Sequence, residues 1–415
     1  MQKQQKKTLR RIRRVLVILL PVLVLTLAAL LIANRYLNRS QTAVPEDPSA
    51  DTDVSADLII PTPSGTDTDN GSEKSDTDSP TPDEASVQEQ QAEPEPVIEE
   101  EPVTLLFTGD VLLSDYVLNN YKNSGIDGVL SPELLDELRD ADITVINNEF
   151  PFSTRGTQAP DKQFTFRVDP KYVSVLTDMG ADIATLANNH VLDYGADALL
   201  DTFDTLEGAG IDYMGAGTNA SRAEALITRQ ADGKTFGFLA ASRVIPVVSW
   251  DVQNASPGVF TTYDPTRLIA AIEKAKDNCD YLTVFVHWGI ERDEHPQDYQ
   301  VSMAQQYIDA GADLVIGSHP HVLQGITYYK EKPVFYSLGN FIFNQSIPKT
   351  AAVKVTIDGE KEPVVQLIAA TAGNARTVAC DGAEKTAIYD HLESISTGIS
   401  IDDNGILSQT ASSSD

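Results

Sequence analysis

Residues 311–323 read GADLVIGSHPHVL, a short apolar run that leads straight into two histidines one residue apart. Residues 312–316 predict a buried β-strand, short and mostly apolar. Side chains just past the carboxyl end of such a strand face the crevice where α/β proteins bind ligands. His319 and His321 fall there.

The same local grammar occurs three more times. Asp142-Ile-Thr-Val-Ile runs into Asn147-Asn148-Glu149, Asp182-Ile-Ala-Thr-Leu into Asn188-Asn189-His190, and Asp280-Tyr-Leu-Thr-Val-Phe-Val into His287-Trp288-Gly289. A fifth strand, residues 103–107, is followed by Gly109-Asp110. Distant segments therefore deliver imidazoles, carboxylates and an amide to strand ends, from which they can converge on one site. His295 and His391 fit no such pattern and read as structural.

Histidine and carboxylate together suit Mn, Fe or Zn rather than Ca or Mg, which favour all-oxygen shells. One or two ions are expected, with Glu149 able to bridge a pair. His319, His321 and His287 supply imidazoles, Asp110 and Glu149 negative charge, and Asn189 a neutral oxygen. His190, next to a ligand, is the candidate general acid or transition-state contact. Asp193 and Tyr194 either orient His190 or cap the following helix.

The net charge of −30 is unevenly spread. Residues 1–40 carry nine Lys/Arg and no acid, while residues 41–101 carry eighteen Asp/Glu against Lys74 alone. The remainder holds 43 acids against 21 bases, which argues against nucleic acid as a partner. Cys279 and Cys380 are too few for a disulfide framework or a thiolate metal site.

Residues 15–33 are almost unbroken apolar chain, long enough to cross a bilayer as a helix. Seven cations precede the run and only Arg35 and Arg39 follow it, placing the basic tail 1–14 in the cytoplasm and the rest outside the cell membrane. A cleaved signal peptide is the alternative, disfavoured by the run's length. Residues 34–101, rich in Pro, Ser, Thr, Asp and Glu, predict a disordered acidic linker.

From 102 to 393, apolar strand runs alternate with helical stretches at 132–139, 170–179, 196–207, 265–277 and 298–310, an α/β pattern. Strands at 334–337, 352–357 and 364–370 follow without intervening helices, which predicts a second sheet or an antiparallel edge. Residues 394–415, polar and small, predict a loose tail.

In order, Phe107-Thr-Gly-Asp110, Asn148-Glu149-Phe-Pro, Ala187-Asn-Asn-His190 with Asp193-Tyr-Gly, Val286-His-Trp-Gly289, Gly317-Ser-His-Pro-His321 and Ser337-Leu-Gly-Asn340-Phe resemble the CapA family, the poly-γ-glutamate capsule biosynthesis proteins of bacteria. That family is similar in turn to the calcineurin-like metallophosphoesterases. The resemblance implies a four-layer αββα sandwich with a metal centre at its strand ends, ligated by the six residues named above, with His190 and Asp193 catalytic. Arg167 matches a family position that could grip an anionic group bidentately, or could form a structural ion pair. Trp288 and Asn340 are expected to line the site. One departure is plain: where the phosphoesterases have Asp-x-His, Asp110 is followed by Val111 and Leu112, so one metal position has an imidazole fewer.

The resemblance implies action in synthesis, anchoring or export of an anionic envelope polymer, poly-γ-glutamate, as a metal-dependent hydrolase or transferase alongside capsule synthase subunits. The alternatives are a non-catalytic polymer-binding subunit and a phosphoesterase of unrelated substrate.

Overall fold

The computed structural model describes residues 101–252 and 256–410. The basic tail 1–14, the expected span 15–33 and all but the last residue of the acidic linker 34–101 lie outside the described residues. No helix among the described residues is long and apolar enough to cross a membrane.

In chain order the strands are β1 (Val103–Val111), β2 (Ile143–Asn148), β3 (Ile183–Thr185), β4 (Asp212–Met214), β5 (Ala216–Gly217), β6 (Ile227–Ala231), β7 (Lys234–Ser242), β8 (Gly258–Val259) and β9 (Tyr281–His287). There follow β10 (Leu314–Ser318), β11 (Ile326–Tyr329), β12 (Lys332–Phe335), β13 (Asn340–Ile342), β14 (Ser346–Ile357), β15 (Val364–Gly373), β16 (Arg376–Ala379), β17 (Ile399–Ile401) and β18 (Leu407–Gln409).

The first sheet runs β16-β15-β14-β1-β2-β3-β4, with β13 also paired to β1. Its β1 to β4 portion is parallel, whereas β14 to β16 form an antiparallel edge. The second sheet runs β11-β12-β10-β9-β7-β6, parallel in its centre and antiparallel at both ends. The late strands divide as the missing helices require: chain that turns straight back can only pair antiparallel. β12 joins the second sheet, while β14 and β15 extend the first.

Side-chain alternation sorts β9 between two cores. Tyr281 and Phe285 enter the core shared with Leu105, Phe107 and Val353 of the first sheet. Leu282, Val284 and Val286 face Leu268, Ile272 and Tyr307, from the helices Thr266–Lys276 and Asp298–Asp309. The second sheet is thus covered by the first sheet on one face and by helices on the other. Phe107, Phe285 and Phe335 are fully buried, each worth about 2–3 kcal/mol of transfer free energy.

The helices form close to where the pattern predicts them, as Pro132–Asp140, Ala196–Gly208, Thr266–Lys276 and Asp298–Asp309. The segment 170–179 divides into a 3-10 turn, Pro170–Val173, and a short α-helix, Ser174–Met179. The loose tail expected from residue 394 is corrected: beyond the helix Gly382–Ser394 the chain forms the β17–β18 hairpin. Ile399 and Leu407 are buried, and Leu367 N–H donates to the Gly405 carbonyl at 2.8 Å. These apolar anchors, that backbone bond and the side-chain bonds of Gln366 and Lys385 to the Asn404 and Asp403 carbonyls hold a segment whose composition reads as solvated.

Candidate metal centre

The site residues meet at the carboxyl ends of parallel strands from both sheets. β1 closes on Gly109-Asp110, and a Cβ on Gly109 would stand 1.9 Å from the Gly339 carbonyl oxygen, so only glycine allows the approach. Asp110 N–H donates to that carbonyl at 2.8 Å, which sets Asn340 beside Asp110 in register. Asp110 Oδ1 accepts from Asn147 Nδ2 at 2.7 Å, Asn147 Oδ1 accepts from Asn188 Nδ2 at 3.0 Å, and Asn188 Oδ1 accepts from the His190 N–H at 3.1 Å. This relay of amides lashes the ends of β1, β2 and β3 together. Asn147 and Asn188 were not among the sequence candidates; the doubled Asn after each strand was the available signal.

Glu149 is the centre of the cluster. Its carboxylate is fully buried and neither oxygen has a hydrogen-bond partner among the described residues. His319 Nδ1 is likewise buried and unpartnered. Ligand atoms of Glu149, His319 and His321 lie within 4.8 Å of one another. On another side of Glu149, His287 Nε2 stands 3.6 Å from Oε1 and 2.9 Å from Asn189 Oδ1. Glu149 therefore lies between the His319–His321 pair and His287. Asp110 adjoins the first set, with Oδ2 3.1 Å from His321 Nδ1, which also lies 2.9 Å from Asn340 Oδ1.

Electrostatics point the same way. Burial, then the Asp110 charge, pushes the Glu149 carboxyl well above its ordinary range. Burial and neighbouring imidazoles hold His287 well below its ordinary value and bring His319 down to about 3. For His321 burial opposes the charge, but Glu149 and Asp110 outweigh it and raise the group to about 10. His287 and His319 held neutral beside the buried, donor-free Glu149, with His321 carrying a proton between Glu149 and Asp110, form a donor set in which a divalent cation could take that proton's place. His319 and His321 hold positive φ, at 99° and 60°, so the His-Pro-His turn carries backbone strain of the sort that gathers at functional sites. Ser318 Oγ, 2.9 Å from His287 Nδ1, fixes the opposite side of that ring.

Beside this cluster His190 Nδ1 lies 2.7 Å from Asp193 Oδ2, leaving Nε2 free. Phe166 packs against the imidazole at 4.5 Å between ring centres, and its N–H donates to Asp193 Oδ2 at 2.7 Å. Burial lowers His190 against the pull of Asp193. Lys162, absent from the sequence candidates, closes the group. Its Nζ donates to Asp193 Oδ1 and to the Asn189 carbonyl, and sits 3.0 Å from His190 Nδ1 and 5.2 Å from the Trp250 ring centre. It comes from a loop with no periodic pattern, so nothing local marked it.

Two expected site residues lie elsewhere. Trp288 is corrected from site-lining to core: it is fully buried on the helix-covered side of β9, near Tyr307, and its Nε1–H donates to the Tyr336 carbonyl at 2.9 Å. Following inward-facing His287, it takes the opposite face by strand alternation. Arg167 is exposed, donates to the Arg155 carbonyl at 2.8 Å and lies over the Tyr194 ring, and among the described residues it forms no ion pair. His391 approaches Glu294 and His295 is exposed, both apart from the cluster. Cys279 and Cys380 are free thiols.

Residues 104–345 match the family described as bacterial capsule synthesis protein PGA_cap. The capsule biosynthesis protein CapA of Bacillus anthracis is 33% identical over 262 residues, covering 61% of this chain and 62% of that one. The PGA biosynthesis protein CapA of Bacillus subtilis is 33% identical over 254 residues, covering 60% and 66%. The match thus spans just under two thirds of these relatives' own length. Among solved structures, a novel phosphatase from Mycoplasma pneumoniae aligns with 13% identity and a TM-score of 0.44, over 71% of this chain and 99% of that one. Because the family match covers more than half of the chain and takes in every strand end from Asp110 to Asn340, the protein belongs to the bacterial capsule synthesis protein PGA_cap family.

Proposed function

We propose that this protein works on poly-γ-glutamate at the outer face of the cell membrane, as a hydrolase or transferase built around a divalent cation. The observation that carries the reading is the Glu149 carboxylate, buried without a donor and faced by the neutral imidazoles of His287 and His319. Asp110, Glu149, Asn189, His287, His319 and His321 would hold one or two ions of Mn, Fe or Zn. When bound, the metal supplies Lewis acidity to an oxygen at the reacting group. His190, its Nδ1 committed to Asp193, presents Nε2 for proton transfer. Lys162 keeps Asp193 in place, and Phe166 fixes the imidazole plane. In this reading the two mixed sheets are the core of a metallophosphoesterase-type sandwich.

The substrate class rests on the capsule and PGA biosynthesis named for the Bacillus relatives. The location rests on the apolar run 15–33 behind its basic start, with the acidic linker holding the catalytic part away from the bilayer. The test is metal analysis of the full-length chain in detergent, with turnover of γ-glutamyl oligomers and of aryl phosphoesters, for wild type, Glu149→Gln and His190→Ala. Stoichiometric metal lost in Glu149→Gln, and turnover lost in His190→Ala with metal retained, are expected. A metal-free wild-type chain would refute the proposal.

The buried apolar Leu112, standing where the phosphoesterases carry an imidazole, favours a second reading: a non-catalytic subunit of a capsule synthase complex that binds polymer in the same groove. Polymer production that survives His190→Ala in cells would select it.

A further inference from the structure

In this acidic chain, basic side chains such as Arg155, Arg267, Lys276 and Lys354 meet carboxylates. Among the described residues Arg243 meets none. It follows β7 directly, and its N–H donates to the His287 carbonyl at 2.8 Å, beside the metal cluster. Its guanidinium carbon lies 4.8 Å from the Tyr263 ring centre and 4.6 Å from that of Tyr299. The Tyr299 hydroxyl accepts from the Gly289 N–H at 2.8 Å. Gly289 in turn abuts Pro320, where an added Cβ would come within 2.8 Å. Pro320 is the residue between His319 and His321, so this aromatic clamp adjoins the turn that carries both imidazoles.

Within the clamp Arg243 Nε is buried with no hydrogen-bond partner. A desolvated donor is costly to leave unpaired. The two rings restrict the guanidinium plane, preserving a fork that matches the two oxygens of a carboxylate or phosphate. Ser242 is in register with His287, so Arg243 leaves the carboxyl end of β7 directly beside the residue that carries one of the cluster's imidazoles.

We infer that Arg243, clamped by Tyr263 and Tyr299, is the receptor for an oxyanion, a carboxylate or a phosphate, carried by the molecule that reacts at the neighbouring cluster. The role expected of Arg167 falls to this residue instead. The inference deepens the proposed function and rests on that cluster being the reacting centre.

The test uses the full-length chain in detergent. Wild type is labelled with phenylglyoxal and Arg243 modification is read by mass spectrometry, with and without a ten-residue γ-glutamate oligomer or inorganic phosphate. Affinity for each probe is then measured calorimetrically for wild type, Arg243→Lys and Arg243→Gln, with metal content determined throughout. Protection of Arg243 by the oligomer alone assigns a carboxylate, and protection by phosphate alone assigns a phosphate. Arg243→Gln is expected to weaken the protecting probe about 10- to 100-fold, with Arg243→Lys recovering only part because an ammonium lacks the planar fork. Equal labelling with and without saturating probe, or wild-type affinity in Arg243→Gln, overturns the inference. Protection in a chain that binds no metal would refute the metal-centred function and leave the receptor standing; a metal-loaded chain with unprotected Arg243 would do the reverse.

Discussion

Stripping the cation should make the fold alkali-sensitive. His321 is raised to about 10 by Glu149 and Asp110 in spite of burial, and Glu149 is itself raised by burial and by Asp110. Between pH 7 and 8.5 the unfolded chain has lost both protons, since free histidine titrates near ~6.5 and glutamate near ~4.3. The folded metal-free chain retains the His321 proton, so the native state binds more protons and stability falls as pH rises. His287 and His319 have lowered values, so their contribution changes only below the ordinary histidine range and does not enter this window. One retained proton, held by the coupled His321 and Glu149 together, gives about 1.4 kcal/mol per pH unit, hence about 2 kcal/mol across the window. For a folded part of this size that is about 3 °C in melting temperature. Calorimetry of the full-length chain at pH 7, 7.75 and 8.5, in chelator and in excess Mn or Zn, measures it. A cation takes the proton's place, so the loaded chain should be nearly flat, and the difference between the two series removes groups common to both, such as the thiols. A stripped chain whose melting temperature holds or rises over this range would refute the reasoning.

Lys162→Met should cost about 3 kcal/mol in urea unfolding, because it leaves Asp193 buried without its cation; a loss under about 1 kcal/mol would show that His190 and the Phe166 N–H suffice. Gly109→Ala drives a Cβ into the Gly339 carbonyl and should destabilise the chain by about 4 kcal/mol or more, with metal content falling in whatever fraction folds. Phe285→Ala empties part of the core between the sheets and should cost about 3–5 kcal/mol while bound metal stays stoichiometric, as mass spectrometry and thermal melting together would show.

Much of the site was legible because its signal is local. An apolar run that ends in His or Asn-Asn places those residues at the end of a parallel strand, and five such ends share one edge once the sheets form. Asp110, Glu149, Asn189, His287, His319 and His321 could be named on that ground. Alternation also held the answer for Trp288, since a residue next to inward-facing His287 must point the other way, but using it required knowing which face was the crevice.

The rest depended on which distant segments dock together. Lys162 lies in a loop, and only the folded chain brings its ammonium to Asp193, 31 positions later. Arg243 follows an unremarkable strand, and Tyr263 and Tyr299 close on it from two other segments. The β17–β18 hairpin depends on buried side chains and on bonds to Leu367, Gln366 and Lys385 that its polar composition conceals. Taken alone, the sequence determined the strand ends and the side-chain types at them, because side-chain period and strand length are properties of adjacent residues. The tertiary structure decided which cations lie beside those ligands and which stay unpaired, because burial and charge pairing are set by contacts between segments far apart along the chain.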